Sequence, residues 1–322
     1  GSGAVVRDTV FSYDGKGNKT VEEKWNDGGN NPVTRWAYDA YGNPVSKIDA
    51  RGYTTAYEYD AATVTYPSKI FLPQTGLVSH VWKAPSFDYR VGKAKTLEDA
   101  NGHQTLYAYD SLGRLLQADY PDGGRKTYTY VQSSFPIHVK TSVHNGAAAP
   151  IASYDYFDGL GRKIQTVAFG EKGKPVHTRF FYDNLGRNYL TEETCFSGSA
   201  EYSWTRTAFD WWDRPVSVKR PDGEHEIVAT NYTYDGLAAT VSDPDGSAKT
   251  TTRDYLDRVI RVVEHSNQGD IVTEFDYNAA GDLLKITNHG GMQTRFDRDS
   301  LGNIRELSDP DMGAWEYTYD AN

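Results

Sequence analysis

The feature that most restricts what this chain can fold into is a recurring short phrase, Y-D-x-x-G, set at an almost constant interval. Its most regular copy spans residues 109–130, reading Y-D-S-L-G-R-L-L-Q-A-D-Y-P-D-G-G-R-K-T-Y-T-Y. Followed by its aspartate, the phrase returns at Asp14, Asp39, Asp60, Asp110, Asp158, Asp183, Asp210, Asp235, Asp254, Asp299 and Asp320, with Asn278 standing in the same slot. The steps from 39 to 60, 278 to 299 and 299 to 320 are each 21 residues. A fixed period in the low twenties is the mark of a repeat architecture, in which each unit covers its neighbour.

A second phrase lies between the first ones: Asp49-Ala50-Arg51-Gly52, Asp99-Ala100-Asn101-Gly102, Pro121-Asp122-Gly123, Pro221-Asp222-Gly223 and Asp243-Pro244-Asp245-Gly246. Asp can bond its own backbone two residues on, and Gly supplies the positive φ that tight turns need. Both phrases therefore read as turns. The segments between them alternate, as in T-T-A-Y-E-Y at 54–59 and N-Y-T-Y at 231–234, so that every second side chain shares a face. In the regular copy the strands are expected at 114–118 and 125–130. No sustained helical period occurs. A lone hairpin is barely stable in water, so each must pair with the next. The expected fold is all-β: a long antiparallel meander of hairpins that coils into a curved or spiral wall.

Composition sharpens this picture. The chain has 24 Tyr and 30 Gly but only 2 Met. Tyrosine combines a ring that stacks across strands with a hydroxyl that stays wet, which suits a wall solvated on both faces. The whole of 1–322 reads as one repeat region cut from a longer protein, with Gly1-Ser2-Gly3 a cloning scar. Residues 61–98 and 131–153 break the period and read as enlarged repeats; Asn145-Gly146 is a hairpin signal within the second. The residues that define the repeat are Tyr38, Asp39 and Gly42; Tyr109, Asp110 and Gly113; Asp122 and Gly123; Asp158 and Gly161; Tyr182, Asp183 and Gly186; Asp299 and Gly302; and Tyr319 with Asp320. Where the phrase departs from its pattern (Arg253 before Asp254, Asn278, Ala238 in the glycine slot) the turns are expected to be irregular.

Taken together, Y-D-x-x-G-R, P-D-G and T-Y-T-Y in phase resemble the RHS, or YD, repeat over nearly the whole chain. The stretch D-P-D-M-G-A-W-E-Y-T-Y-D at 309–320 is similar to repeats of large secreted bacterial RHS toxins, the B and C components of insecticidal toxin complexes and SpvB-type proteins among them. That resemblance implies a hollow β-cocoon around the protein's own C-terminal toxin domain, with neighbouring repeats or a second shell subunit as partners and a secreted or cell-surface bacterial location. It also implies a self-cleaving segment with paired aspartates after the last repeats. That segment is absent here, because Asp309-Pro310-Asp311 is an ordinary repeat turn. The chain is therefore not expected to be an enzyme. A second reading is a cell-surface adhesion module whose tyrosine-rich face binds carbohydrate.

Other chemistries find little support. With 34 Lys+Arg against 44 Asp+Glu, the net charge of -10 opposes binding to a nucleic-acid backbone. No apolar run approaches the ~20 residues of a membrane helix. The single cysteine, Cys195, precludes an intrachain disulfide and reads as a small half-buried side chain. His225 sits between Glu224 and Glu226 without a second histidine at metal-ligand spacing. Asp243-Pro244-Asp245-Gly246 lacks the further carboxylates of a calcium loop. No catalytic residue, cofactor or metal is expected. Trp211-Trp212, in the phrase F-D-W-W-D-R, either covers a seam between coils of sheet or contacts a partner.

Overall fold

The computed structural model describes residues 7–146, 149–170, 173–194, 202–222 and 226–319. Cys195, His225 and Asp320 lie outside them. Among the described residues there are 27 strands and no α-helix. The strands form one antiparallel sheet in which each pairs with the strand before and the strand after it, from β1 (Thr9–Tyr13), β2 (Lys19–Lys24) and β3 (Val33–Tyr38) to β25 (Gln293–Arg298), β26 (Ile304–Asp309) and β27 (Gly313–Glu316).

The regular copy shows why these residues make these elements. β9 (Gln104–Tyr109), β10 (Leu115–Asp119) and β11 (Arg125–Val131) are joined by two tight turns, and each strand follows its turn immediately. Where an odd strand passes to an even one, a bulge recurs beside the turn, as between Leu115 and Gln117. A bulge adds local twist, and twist repeated at one edge coils the sheet.

The stretches that break the period continue the same meander. Within 61–98, β6 (Pro67–Thr75) and β7 (Val78–Asp88) are longer strands joined by the two-residue turn Gly76-Leu77. β8 (Lys93–Glu98) follows a turn opened by Asp88, an anchor missing from the series of aspartates above. Within 131–153, β12 (Ile137–His144) pairs in full with both β11 and β13 (Ile151–Phe157). At Asp235 the alignment of Ala238 with the turn glycine is corrected. Asp235 pairs directly with Ala238 around Gly236-Leu237, so Ala238 opens the next strand, β20 (Ala238–Ser242). Gly236, with φ of 55°, supplies the positive φ there.

The wall is one layer thick. Among the described residues only Ala84, Ala118, Val167 and Val263 are buried apolar side chains, and no large side chain is fully enclosed. Stability must therefore come from the strand ladder and from devices at its edges.

Candidate functional site: two rims and a seam

Because the meander never crosses over, its turns fall on two rims. Turns from odd to even strands carry the Y-D phrase and make one rim; turns from even to odd strands make the other. On the first rim Asp110 is the organising group. Its Oδ1 accepts from the backbone N–H of Leu112 (2.9 Å) and Arg114 (2.9 Å), and its Oδ2 accepts from Arg114 Nε (2.6 Å). Gly113 closes the turn by donating to Asp110 O (3.1 Å) at a φ of 77°, where a side chain would be strained. Partial burial pushes the Asp110 carboxyl up, but the Arg114 and Leu112 donors outweigh it and hold it below its ordinary value.

Asp158, with Leu160 and Arg162, and Asp183, with Leu185 and Arg187, build the same cradle around Gly161 and Gly186. Asp39 and Asp299 use Asn43 and Asn303 in place of arginine, around Gly42 and Gly302. At the turns of Asp210 and Asp254 the glycine position holds Asp213 (φ 65°) and Asp257 (φ 63°).

The tyrosine of the phrase links one turn to the next. Tyr130 O–H donates to Leu115 O (3.0 Å), the carbonyl just past the preceding cradle, while the Arg114 guanidinium lies over its ring at 4.2 Å. Tyr182 donates to Lys163 O (2.7 Å) beneath Arg162, Tyr38 to Lys19 O (2.8 Å) and Tyr109 to Ala94 O (3.1 Å). Each relay spans a hairpin, tying consecutive turns along the rim. Arg298 takes the tyrosine's place at the last such turn, donating from Nε to Leu283 O (3.1 Å). Asp122 and Gly123 belong to the opposite rim, where Gly124 N–H donates to Asp122 Oδ1 (2.8 Å) and Gly123 has a φ of 85°. Tyr319 lies past β27, exposed.

The two rims differ in what they present. Two residues after the cradle aspartate, the Y-D rim projects Tyr41, Leu112, Leu160, Leu185, Trp212 and Leu256, all exposed, while Asp14 is followed by Lys16 and Asp299 by the half-buried Leu301. Among the described residues, at the corresponding place the opposite rim projects Arg51, Asn101, Asp122 and Asp245, and it also exposes Leu77, Ile151, Met292 and Met312. Trp211 and Trp212 lie ring against ring, centroids 3.4 Å apart and tilted by 31°, and stand exposed on the Y-D rim, Trp212 beside the Arg214 guanidinium.

At one place the rims meet. The β2–β3 loop on the polar rim docks on the β25–β26 turn of the Y-D rim. Ser300 Oγ donates to Trp25 O (2.8 Å), Asp27 N–H donates to Ser300 Oγ (3.0 Å), and Ser300 N–H donates to Asp27 Oδ1 (3.1 Å). Arg305 forms an ion pair with Asp27. Arg7, just before β1, pairs with Asp282 (2.6 Å) in the turn between β23 (Ile271–Tyr277) and β24 (Leu283–Thr287), and its guanidinium packs against Gly302. Ser300 is 6% exposed. Both contacts span the same number of strands, β1 through β23 and β3 through β25, twenty-three each time. The sheet thus returns on itself after twenty-three strands, one rim stacked on the other. At about 4.8 Å per strand that is a contour of about 110 Å.

None of the seam residues (Arg7, Trp25, Asp27, Ser300, Leu301, Arg305) stands out in the sequence as a site. The one available signal was that D-S-L-G occurs twice, at 110–113 and 299–302. Among the described residues no cluster of His, Cys, Asp and Glu is arranged to hold a metal, and no helix is long and apolar enough to cross a membrane.

The RHS Repeat family model matches residues 38–63, 89–125 and 277–312, and a Domain of unknown function (DUF6443) matches residues 126–202. No curated protein matches the chain. Among solved structures, the crystal structure of TcdB2-TccC3 is 14% identical over 95% of this chain and 18% of its own, with a TM-score of 0.58. TcdB2-TccC3 without its hypervariable C-terminal region is 12% identical over 93% of this chain and 19% of its own, with a TM-score of 0.56. A Photorhabdus luminescens Tc holotoxin pore is 14% identical over 94% of this chain and 16% of its own, with a TM-score of 0.51. The chain spans about a fifth of these proteins, and at such identity the likeness is one of fold. The phrase, the cradle it builds and the three matched segments agree: residues 38–63, 89–125 and 277–312 carry RHS repeats.

Proposed function

We propose that the chain is a wall segment of a hollow RHS shell that encloses a polypeptide cargo, carried C-terminal to the wall in a secreted bacterial toxin. The observation that carries this reading is the seam: a single continuous sheet returns on itself after twenty-three strands. A round wall of about 110 Å contour is about 35 Å across between backbone centres, and side chains on the inner face narrow it to about 25 Å. A folded domain of 100 residues, with a radius of gyration of about 13 Å, is wider than that. The cargo in one such coil is therefore held incompletely folded. The wall itself does no chemistry; its aspartates are spent in turn cradles.

Limited proteolysis of the natural gene product tests the reading. The segment C-terminal to the wall should resist protease in the native protein and be cut within minutes once the wall is unfolded by acid. Equal cleavage rates in both states would refute enclosure. Intact mass on prolonged incubation of the 322-residue chain is the expected sign that the wall does not cut itself.

A further inference from the structure

One hairpin of the meander stands apart from its neighbours. β6 and β7 are nine and eleven residues long, against six for β5 (Thr54–Tyr59) on one side and six for β8 on the other. The ladder between β5 and β6 ends at Ala56 and Phe71, and the ladder between β7 and β8 starts at Lys83 and Glu98. Residues 72–82 therefore pair only within the hairpin, and there the pairing is broken. Leu72 pairs with His80 and Thr75 with Val78, but Pro73 and Gln74 have no partner in the ladder. Two side-chain bonds in solvent hold the tip, Gln74 Nε2 to Ser79 Oγ (3.0 Å) and His80 Nε2 with Thr75 Oγ1 (3.2 Å). Gln74, Thr75 and Gly76 are exposed, and Leu77 is fully so. A lone hairpin is barely stable in water, so this tip opens at little cost while the ladder below it stays closed.

The residues of the tip exceed what a turn needs. Gly76, at a φ of 62°, is explained by the two-residue turn. Pro73 is not: a proline inside a strand removes a ladder donor, and here it lies in the gap beside Gln74. A residue that breaks a local rule without a structural gain points to function. With its neighbours Pro73 completes Leu72-Pro73-Gln74-Thr75-Gly76, the pentapeptide L-P-x-T-G that bacterial cysteine transpeptidases cleave between threonine and glycine. It occurs once in the chain, at the tip of a hairpin that the sheet leaves free.

We infer that the β6–β7 tip is a substrate site for such a transpeptidase, which joins residues 1–75 to a primary amine. Leu72 is the apolar anchor. Pro73 has no N–H for the enzyme's groove to satisfy, and its fixed φ leaves less freedom to lose on binding. Gly76 has no Cβ, and nothing lies within 4 Å of where one would stand, so the Thr75 carbonyl is open to attack. The enzyme's thiolate adds to that carbonyl, the bond to Gly76 breaks, and the Gly76 nitrogen takes a proton from the enzyme and leaves as an amine. The incoming amine then attacks the thioester at Thr75, the thiolate leaves, and a new amide forms. The cut does not open the wall. Lys69 to Leu72 still pair with His80 to Lys83, and the Asp27–Ser300 and Arg7–Asp282 contacts still tie strands before the cut to strands after it. The product is a wall fixed covalently through its first six strands. This goes beyond enclosure: it needs the wall and a secreted location, not a cargo.

The probe is triglycine carrying a fluorophore, added with a purified L-P-x-T-G-specific transpeptidase to the folded 322-residue chain. Denaturing electrophoresis and mass measurement should show two pieces, 1–75 bearing the probe and an unlabelled 76–322, which run as one species under native conditions. Pro73→Ala should lower the labelling rate at least about tenfold. Gln74→Ala, at the variable position, should leave it unchanged, and an unchanged melting temperature confirms that both variants fold. A folded chain that stays whole overturns the inference. So does labelling that appears only after the chain is unfolded, cleavage at any other bond, or labelling indifferent to Pro73→Ala. Each of these results leaves protease protection of a cargo untouched, so the two readings fail separately.

Discussion

Asp110-Ser111-Leu112-Gly113 and Asp299-Ser300-Leu301-Gly302 have the same four side chains and the same internal bonds. In both, the aspartate Oδ1 accepts from the amides two and four residues on, and the glycine returns to the aspartate carbonyl. They differ only in what lies outside them. One faces solvent; the other holds Trp25 and Asp27 from the far end of the sheet. The turn is therefore two devices in one. The aspartate and glycine make the hairpin, and in the second copy the serine, left over, makes a contact between coils.

Acid should act on the arginine-backed cradles of the Y-D rim, and its effect should be the largest. Burial pushes up the carboxyls of Asp110, Asp158, Asp183 and Asp210, but arginine and amide donors outweigh it and hold each below its ordinary value of 3.8. Asp254 is lowered too, chiefly by Arg258. A depressed folded value means that the stabilisation is fully present above the unfolded value and is lost as pH falls through the folded one. Far-UV circular dichroism should be flat from pH 7 to about 4 and collapse cooperatively below. A transition near pH 5 would mean that other groups govern the wall.

Substitution at the serine should separate the copies. Ser300→Trp must push the β2–β3 loop away, at a cost of about 3 kcal/mol to the seam. Exchange of the Asp27 amide, which donates to Ser300 Oγ, is the direct readout and should become fast. Ser111→Trp, on an exposed turn, should change nothing at Asp27. Ser300→Ala is milder: it leaves the Asp27 N–H and the Trp25 carbonyl without a partner, at about 2 kcal/mol, while Ser111→Ala should be within about 0.5 kcal/mol of wild type. Equal effects of the alanine pair on thermal unfolding would show that the seam carries no stability.

Tyr130→Phe tests the rim rather than the seam. It deletes the bond to Leu115 O but keeps the ring under Arg114, so a loss of about 1 kcal/mol is expected. Phe209 already sits beneath Arg187 with no hydroxyl to donate, and Arg298 supplies the bond from a guanidinium. The relay is thus a set of separable links, and Tyr130→Phe should lower the melting temperature without changing exchange at Asp27.

The meander was legible in the sequence because its causes are local. An aspartate that satisfies amides two and four residues on, and a glycine at positive φ, need no distant partner to make a turn. Where local chemistry was ambiguous the reading slipped. Y-D-G-L-A-A fits either a four-residue cradle or a two-residue glycine turn, and the strand pairing of Asp235 with Ala238 selects the second. F-D-Y-R-V-G hid an anchor because its turn is one residue longer, with Gly92 returning to Asp88 O. The seam was not legible at all. Ser111 and Ser300 have the same neighbours on both sides, and the contact that distinguishes them joins residues 273 positions apart. Its place depends on the twist summed over twenty-three strands, which no single window of sequence contains.

Salt should produce the smallest effect, and its size decides what kind of contact the seam is. Arg7–Asp282 and Arg305–Asp27 are its two ion pairs, with side chains 40% and 13% exposed in the first and 38% and 33% in the second. Solvent screens pairs this open, and each is worth about 0.5 kcal/mol. The buried Ser300 bonds are not screened. Raising the salt from about 0.05 M to about 1 M, where the screening length falls to about 3 Å, should therefore slow or speed Asp27 exchange by less than about tenfold. Release of the amide by salt alone would make the seam an electrostatic latch.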